Sequence, residues 1–177
     1  MASGWVAPTL MDAAFVGDVR RVRDLISAGA DVNEVISDGT PLLESLREHP
    51  DFFDDDALRI VEMLLEAGAS VGLRQPSTGR TPLHEAARAG PKAVALLLAR
   101  GADPNAQSFD GSTPLHECVT CLGVDSARVL LRAGANTTSI DRAGLSPADL
   151  AVQEAAANPD LEEAQELAVL LSTVDGP

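Results

Sequence analysis

A short motif recurs along this chain at intervals close to 33 residues, and this repetition constrains the fold more than any other feature. Gly-Ala-Asp, or a near copy of it, begins at Gly29, Gly68, Gly101 and Gly134. A short apolar stretch suited to a helix precedes each copy. A period of this length is typical of stacked repeats, in which each unit buries its apolar face only against its neighbours. We therefore expect a quasi-one-dimensional array.

A second phrase alternates with the first and predicts where helices begin. It contains Thr-Pro or Ser-Pro and starts at Gly39, Gly79, Gly111 and Gly144. Thr and Ser are favoured N-cap residues, and Pro is tolerated at the first helical position because no helical hydrogen bond is lost there. The Gly of the first phrase suits a helix C-terminus. Each unit should therefore contain two short helices.

Taken together, the Thr-Pro-Leu-His phrase and the Gly-Ala-Asp-x-Asn ending resemble the ankyrin repeat. The resemblance implies an all-α repeat solenoid, an ankyrin stack of helix-turn-helix units with short β-hairpin-like fingers. The expected single domain covers 1–177, with units near 8–36, 37–73, 74–106, 107–139 and 140–172. The first unit lacks the Thr-Pro-Leu-His phrase and the last ends in an acidic helix, so both are expected to be caps.

Composition limits the classes of partner and compartment. The chain has 177 residues, a net charge of −14 and two cysteines. Excess negative charge argues against nucleic-acid binding, and two cysteines make no disulfide framework, which favours a reducing compartment. The longest apolar run, 93–99, is far shorter than the ~20 residues of a membrane span. We expect a protein partner, no nucleic acid, no membrane, a chain monomeric when alone, and a cytoplasmic location (or nuclear in a eukaryote).

The resemblance also implies where a partner would bind. Fingers and first helices form the concave face in ankyrin arrays, so positions that vary between units on these segments are the candidates. They are Ile36, Asp38, Glu44, Arg74, Gln75, Glu85, Arg88, Gln107, Phe109, Glu117, Thr120, Ile140 and Arg142. Arg74, Arg80 and Arg88 are either a small basic spot or solvated charges, and the sequence does not separate these two.

Residues that could suggest catalysis or metal binding have simpler structural roles. His84 and His116 each follow Thr-Pro-Leu, and this fixed position predicts that their rings tie the turn by hydrogen bonding. Cys118 and Cys121 form a C-x-x-C, but structural zinc needs about four ligands and the sequence has no second pair. Cys118 is therefore expected to be a small core residue. We expect no catalytic residue, metal site or cofactor.

An insertion of seven residues interrupts the second unit. The segment 48–56 lies between its two helices and contains Phe52, Phe53, Asp54 and Asp55. In one interpretation it is a second contact loop, with two apolar anchors inside an acidic rim. In the other, both Phe side chains fill the enlarged turn and an Asp caps a helix starting near Ala57.

Nothing in the chain resembles an active site, and the resemblance to ankyrin repeats implies a rigid surface for protein partners. The predicted function is therefore a non-enzymatic protein-protein interaction module. Two alternatives remain. The chain could be an acidic inhibitor or neutralising, immunity-type partner of a basic enzyme or nucleic-acid-binding protein, because a charge of −14 speeds encounter with a basic surface. It could also be a regulatory subunit or scaffold in a larger assembly.

Asn33 and Asn105, which end two of the Gly-Ala-Asp-x-Asn phrases, are expected to pin the fingers by bonding to the backbone.

Overall fold

The computed structural model describes residues 9–47 and 55–173. These residues form ten short helices joined by turns. The helices are α1 Leu10–Phe15, α2 Val19–Ser27, α3 Pro41–Leu46, α4 Asp55–Glu66, α5 Pro82–Ala89, α6 Pro91–Ala99, α7 Pro114–Thr120, α8 Val124–Arg132, α9 Pro147–Ala157 and α10 Glu162–Thr173.

The helices are arranged as two parallel layers. Each odd-numbered helix (a first helix) packs against the next first helix, from α1 to α9, and each even-numbered helix (a second helix) packs against the next second helix, from α2 to α10. Within each pair the first helix also contacts the second. Because the main helix contacts among the described residues run between neighbouring units, the fold is an all-α repeat solenoid, as predicted.

The core between the layers is built from equivalent positions of successive units. Leu83 and Leu115, from the Thr-Pro-Leu phrases, are fully buried, and so are Leu97 and Leu130 on the second helices. Small residues at the contact between layers, such as Ala86, let the short helices approach closely. The periodic apolar pattern therefore becomes one continuous core.

The start of the first helices follows the cap chemistry predicted from the sequence. The hydroxyl oxygen of Thr40 accepts the backbone N–H of Leu43 at 3.2 Å, and that of Ser146 accepts the N–H of Asp149 at 3.1 Å. Four of the second helices, α2, α4, α6 and α8, end close to a glycine with left-handed backbone, as at Gly101, where φ is +83°. Such a residue ends a helix at low steric cost.

The inserted segment requires one correction. Helix α4 begins at Asp55, before the start near Ala57 expected from the sequence, so Asp55 lies in the first helical turn. Negative side chains there interact favourably with the helix dipole. Asp55 is almost fully exposed, with Lys92 at 3.8 Å. Phe52, Phe53 and Asp54, predicted as parts of a contact loop, lie outside the described residues.

Candidate protein-binding face

Four fingers connect successive helix pairs along one edge of the stack, within the connecting segments 28–40, 67–81, 100–113 and 133–146. Each is a narrow, hairpin-like turn closed by backbone hydrogen bonds, for example Ser108 N–H to Ser112 O at 2.9 Å and Asp141 N–H to Leu145 O at 3.0 Å. In the first finger Ile36 and Gly39 form an isolated antiparallel bridge. The β-hairpin-like fingers expected from the resemblance are therefore present.

Hydrogen bonds also join each finger to the next. The N–H of Phe109 donates to the carbonyl of Thr78 at 2.8 Å, and the N–H of Arg142 donates to the carbonyl of Asp110 at 2.7 Å. Arg74 adds a side-chain link, since its Nη1 donates to the carbonyls of Gly79 and Gln107 at 2.8 and 2.6 Å. The last three fingers therefore form one connected ladder.

The link between the first finger and the second depends on a carboxylate. Asp38 accepts the backbone N–H of Ser77 at 2.7 Å and the side-chain amide of Gln75 at 2.6 Å, and it also accepts the Ser77 hydroxyl. These bonds, chiefly that of the Ser77 hydroxyl, lower the pKa of Asp38. The predicted contact residues Asp38 and Gln75 thus contact each other, and they join the second unit to the third.

Two large apolar side chains project from this ladder into solvent. Phe109 is 64% exposed and Ile140 is 61% exposed. The Phe109 ring lies over Gly79, where an added Cβ would come within 2.5 Å of the ring. Gly79 has φ of +72°, so both the close approach and the backbone require glycine. Ile36, on the first finger, is only partly exposed.

The first helices contribute a row of carboxylates paired with arginines. Glu44, Glu85 and Glu117 occupy equivalent positions, and their side chains are only 11%, 16% and 10% exposed. Arg80 bridges the last two, with Nε 3.1 Å from Glu85 Oε1 and Nη2 2.6 Å from Glu117 Oε2. Burial raises the pKa of Glu85, and the charge of Arg80 opposes this effect.

Two further arginines complete this row. Arg47 contacts Glu44 at 3.0 Å, and Arg88 contacts Glu117 at 3.6 Å. The row therefore balances three carboxylates with three guanidinium groups. The basic spot considered from the sequence is not formed, because Arg80 and Arg88 face carboxylates and Arg74 binds backbone carbonyls.

The two histidines have the structural role predicted for them. The N–H of Thr81 donates to Nδ1 of His84 at 3.0 Å, and Nε2 of His84 lies 3.0 Å from the carbonyl oxygen of Ser112 in the next finger. His116 repeats this arrangement with Thr113 and Leu145. Both rings are buried, so neither faces a partner.

The two asparagines bond differently from the prediction, because they reach across units and do not pin their own fingers. Asn33 donates to the carbonyl of Gly68 at 3.1 Å and accepts the N–H of Ser70 at 2.7 Å. Asn105 makes the same pair of bonds to Gly134 and Asn136. Each side chain therefore joins the ends of two neighbouring second helices.

The cysteines belong to the packing between units. Cys118 is fully buried and Cys121 is partly buried. Burial raises the pKa of both thiols, which disfavours the reactive thiolate.

Across residues 9–47 and 55–173, no group of three or more His, Cys, Asp or Glu side chains is placed to hold a metal ion. In the same part of the chain no helix is long and apolar enough to cross a membrane.

Comparison with known proteins agrees with this architecture. The profile described as ankyrin repeats (3 copies) matches residues 10–108 and 53–141. This chain belongs to the ankyrin-repeat family. The matches extend to residue 141 and so include Phe109 and Ile140.

Several curated proteins are similar to this chain over part of their own length. This ankyrin-repeat protein is 35% identical over 140 residues to a putative ankyrin repeat protein of fowlpox virus, which covers 74% of this chain and 39% of the viral protein. It is 34% identical over 110 residues to the palmitoyltransferase Hip14 of Drosophila melanogaster, over 60% of this chain and 16% of that protein. It is 39% identical over 80 residues to the Drosophila Notch protein, over 45% of this chain and 3% of Notch. The chain thus spans less than half the length of these relatives.

The role of Arg80 in joining two units at the concave face was not predicted from the sequence. Arg80 joins the third unit to the fourth by contacting Glu85 and Glu117 together. A signal was present, because Glu85 and Glu117 recur at one register and Arg80 occupies the variable position before Thr-Pro-Leu-His. The direction in which the guanidinium points, however, depends on the stacking of the two units.

Proposed function

We propose that this ankyrin-repeat chain is a non-enzymatic module that binds a partner protein through its concave face, made of the fingers and the first helices. One observation carries the proposal. The fingers are fixed by hydrogen bonds from unit to unit, yet they expose Phe109 and Ile140, at 64% and 61%. Large apolar side chains held rigidly in solvent are a common property of protein-binding surfaces.

Membership of the ankyrin-repeat family supports this function, since ankyrin repeats generally act in protein-protein interaction. The residues that could suggest chemistry are used in the scaffold: His84 and His116 bond to the backbone, and Cys118 is buried. We propose the same division into five units as the sequence indicates, a monomeric chain, and a cytoplasmic or nuclear compartment.

The predicted contact positions differ in how available they are to a partner. Six of them are exposed, which makes them the strongest candidates: Arg74, Gln107, Phe109, Thr120, Ile140 and Arg142. A second group is already engaged within the stack and is expected to shape the face more than to contact a partner. This group is Asp38, Gln75, Glu44, Glu85, Arg88 and Glu117.

The test compares variants on the two sides of the stack. The tagged wild-type chain, Thr120→Arg on the concave side and Arg21→Glu on second helix α2 would each be used to capture proteins from a lysate of the source organism. Quantitative mass spectrometry should show a protein that the wild type and Arg21→Glu retain and that Thr120→Arg loses by about tenfold or more. Equal capture by all three chains would contradict the concave face.

A second candidate function, an acidic inhibitor of a basic protein, is favoured by the net charge of −14. The carboxylates of the first-helix row are already paired with arginines, so a basic partner would have to use other acidic surfaces. Binding of that kind weakens steeply with salt. A captured partner whose affinity stays constant between low and high salt would exclude this candidate.

A further inference from the structure

The tips of the last three fingers combine two cations with two large apolar side chains. We name this set, Arg74, Phe109, Ile140 and Arg142, the fingertip surface. All four residues are exposed. They are adjacent in the ladder, because Arg74 bonds to the carbonyl of Gly79 under the Phe109 ring, and the backbone of 140–141 lies against Gly111.

The backbone beneath this surface is already ordered. Phe109 and Arg142 each donate their backbone N–H to the preceding finger, at 2.8 and 2.7 Å. Arg74 is held by two carbonyls, one on its own finger and one on the next. A surface fixed in advance loses little conformational entropy on binding, so a small contact area can still give measurable affinity.

The acidic residues of these fingers, Asp110 and Asp141, are engaged in hydrogen bonds within their own turns. The carboxylate of Asp110 accepts the hydroxyl of Ser108 at 2.5 Å and the N–H of Ser112 at 3.2 Å. The carboxylate of Asp141 accepts the N–H of Leu145 at 3.0 Å. Both carboxylates are therefore used inside their own turns, in the manner of Asx turns.

The two arginines of the fingertip surface differ in their charge partners from the arginines of the first-helix row. Within residues 9–47 and 55–173, neither Arg74 nor Arg142 forms an ion pair, whereas Arg47, Arg80 and Arg88 on the neighbouring first-helix row all do. The donors that the fingertip surface offers to solvent are thus guanidinium groups, which bind carboxylates well in a planar, two-point geometry.

We propose that the fingertip surface binds an extended segment of a partner protein that carries a large apolar side chain and one or two carboxylates. The apolar side chain packs against Phe109 and Ile140, and the carboxylates bind Arg142 and the exposed edge of Arg74. This assignment rests on the proposed function, and it selects an acidic ligand although the chain as a whole has a charge of −14.

The probe is a phage library of short random linear peptides, selected on the immobilised wild-type chain. Affinities of the enriched peptides are then measured by fluorescence anisotropy for wild type, Phe109→Ala and Arg142→Glu. Matched controls are Val169→Ala, another apolar side chain that is 63% exposed but on α10, and Arg21→Glu, the same charge reversal on α2. Thermal unfolding of each variant verifies that it is folded.

The expected peptides contain Asp or Glu beside a large apolar residue. Phe109→Ala and Arg142→Glu should each weaken binding by about tenfold, whereas both controls stay within about twofold of wild type. A peptide with its carboxylate changed to Lys should bind Arg142→Glu better than wild type. Such a reciprocal exchange would identify Arg142 as the group that contacts the carboxylate.

Several results would overturn the proposal. These are enrichment of Lys- and Arg-rich peptides, no enrichment, or peptides that Arg142→Glu binds as tightly as wild type. Peptides that lose affinity with Thr120→Arg but not with the fingertip variants would overturn it while leaving the concave-face function intact. Self-association of the wild type that Phe109→Ala abolishes, measured by sedimentation equilibrium, would assign the surface to a second copy of the chain.

Discussion

The Nε2 atom of His84 lies 3.0 Å from the carbonyl oxygen of Ser112, and this contact joins the third unit to the fourth. The other ring nitrogen, Nδ1, faces the backbone N–H of Thr81 at 3.0 Å. Nδ1 must therefore accept a hydrogen bond, so the ring proton resides on Nε2 and is donated to Ser112. A second proton on Nδ1 would face the N–H of Thr81, so this position suits the neutral ring.

This contact predicts a pH dependence of stability. Burial, the largest cause, lowers the pKa of His84 from 6.5 to about 4. Between these values the unfolded chain binds a proton at His84 that the folded chain does not, so the free energy of unfolding should decrease as the pH falls from 6.5 toward 4. The total decrease from this group is about 3 kcal/mol. Urea unfolding at a series of pH values measures it.

The second unit supplies the matching variant, because Leu43 occupies the position of His84 there. His84→Leu should lower stability at neutral pH by about 1–3 kcal/mol, since the carbonyl of Ser112 loses its partner. Its stability should also change less than that of the wild type between pH 6.5 and 4. Parallel pH curves for the two chains would show that His84 is not the titrating group.

Asn105 predicts a local loss of stability. Its side chain makes two hydrogen bonds to the next unit, to Gly134 O at 3.0 Å and from Asn136 N–H at 2.7 Å. Asn105→Ala should lower the free energy of unfolding by about 1 kcal/mol, because both bonds are partly replaced by water. Hydrogen exchange should become faster at Asn136, and exchange unchanged at that amide would contradict a linking role.

The second unit lacks this link, and restoring it should stabilise the stack. Gly72 occupies the position of Asn33 and Asn105. An added Cβ there meets only the hydroxyl oxygen of Ser70, at 4.0 Å, so a side chain fits. Gly72→Asn should raise the free energy of unfolding by about 1 kcal/mol, through new bonds to the third unit and a more restricted unfolded chain. Gly72→Ala separates the two effects, since it provides only the second.

Much of this fold was predictable because the repeat motifs determine both where helices begin or end and how neighbouring units stack. The Thr-Pro or Ser-Pro phrase marks the start of four first helices, as at Pro41 and Pro82, and the Gly-Ala-Asp phrase marks the end of four second helices. The start of α4 was expected near Ala57 and lies at Asp55, because neither phrase marks where a second helix begins. Asp55 and Asp56 then resemble a cap when they are in fact the first helical turn.

The candidate site was predictable as a set of positions but not as a set of contacts. Which of these positions are exposed depends on neighbours about 33 residues away in sequence. Phe109 and Glu117 were predicted alike, yet Phe109 is 64% exposed and Glu117 is buried. The difference arises because Arg80, from the preceding unit, covers Glu117, and only the stacked structure shows how long side chains pair across units.

The cysteines predict an ordered reaction with a thiol reagent. Cys118 is fully buried, Cys121 is partly buried, and burial raises the pKa of both. Ellman's reagent should modify Cys121 slowly in the folded chain and Cys118 only after unfolding. Cys121→Ser should therefore leave a folded chain with almost no reactive thiol. Rapid modification of that variant without denaturant would show that the contact between the third and fourth units opens readily.

Arg80 offers the sharpest test of the coupling between units. Its guanidinium contacts Glu85 at 3.1 Å and Glu117 at 2.6 Å, and all three side chains are less than one quarter exposed. Removing the cation leaves two carboxylates poorly solvated and close to each other. Arg80→Met should therefore lower the free energy of unfolding by about 3 kcal/mol. Arg47→Ala breaks a pair at the same register whose arginine is 51% exposed, so it should cost no more than about 1 kcal/mol.

A double-mutant cycle distinguishes lost ion pairing from lost packing. Glu117→Gln keeps the volume of the side chain and removes its charge, so in the Arg80→Met background it should cost less than in the wild type. The coupling free energy between the two positions should be about 1–3 kcal/mol. Additive effects would mean that Arg80 stabilises the stack through the packing of its aliphatic stem, and the first-helix row would then be a set of independent charges with no role in joining the third unit to the fourth.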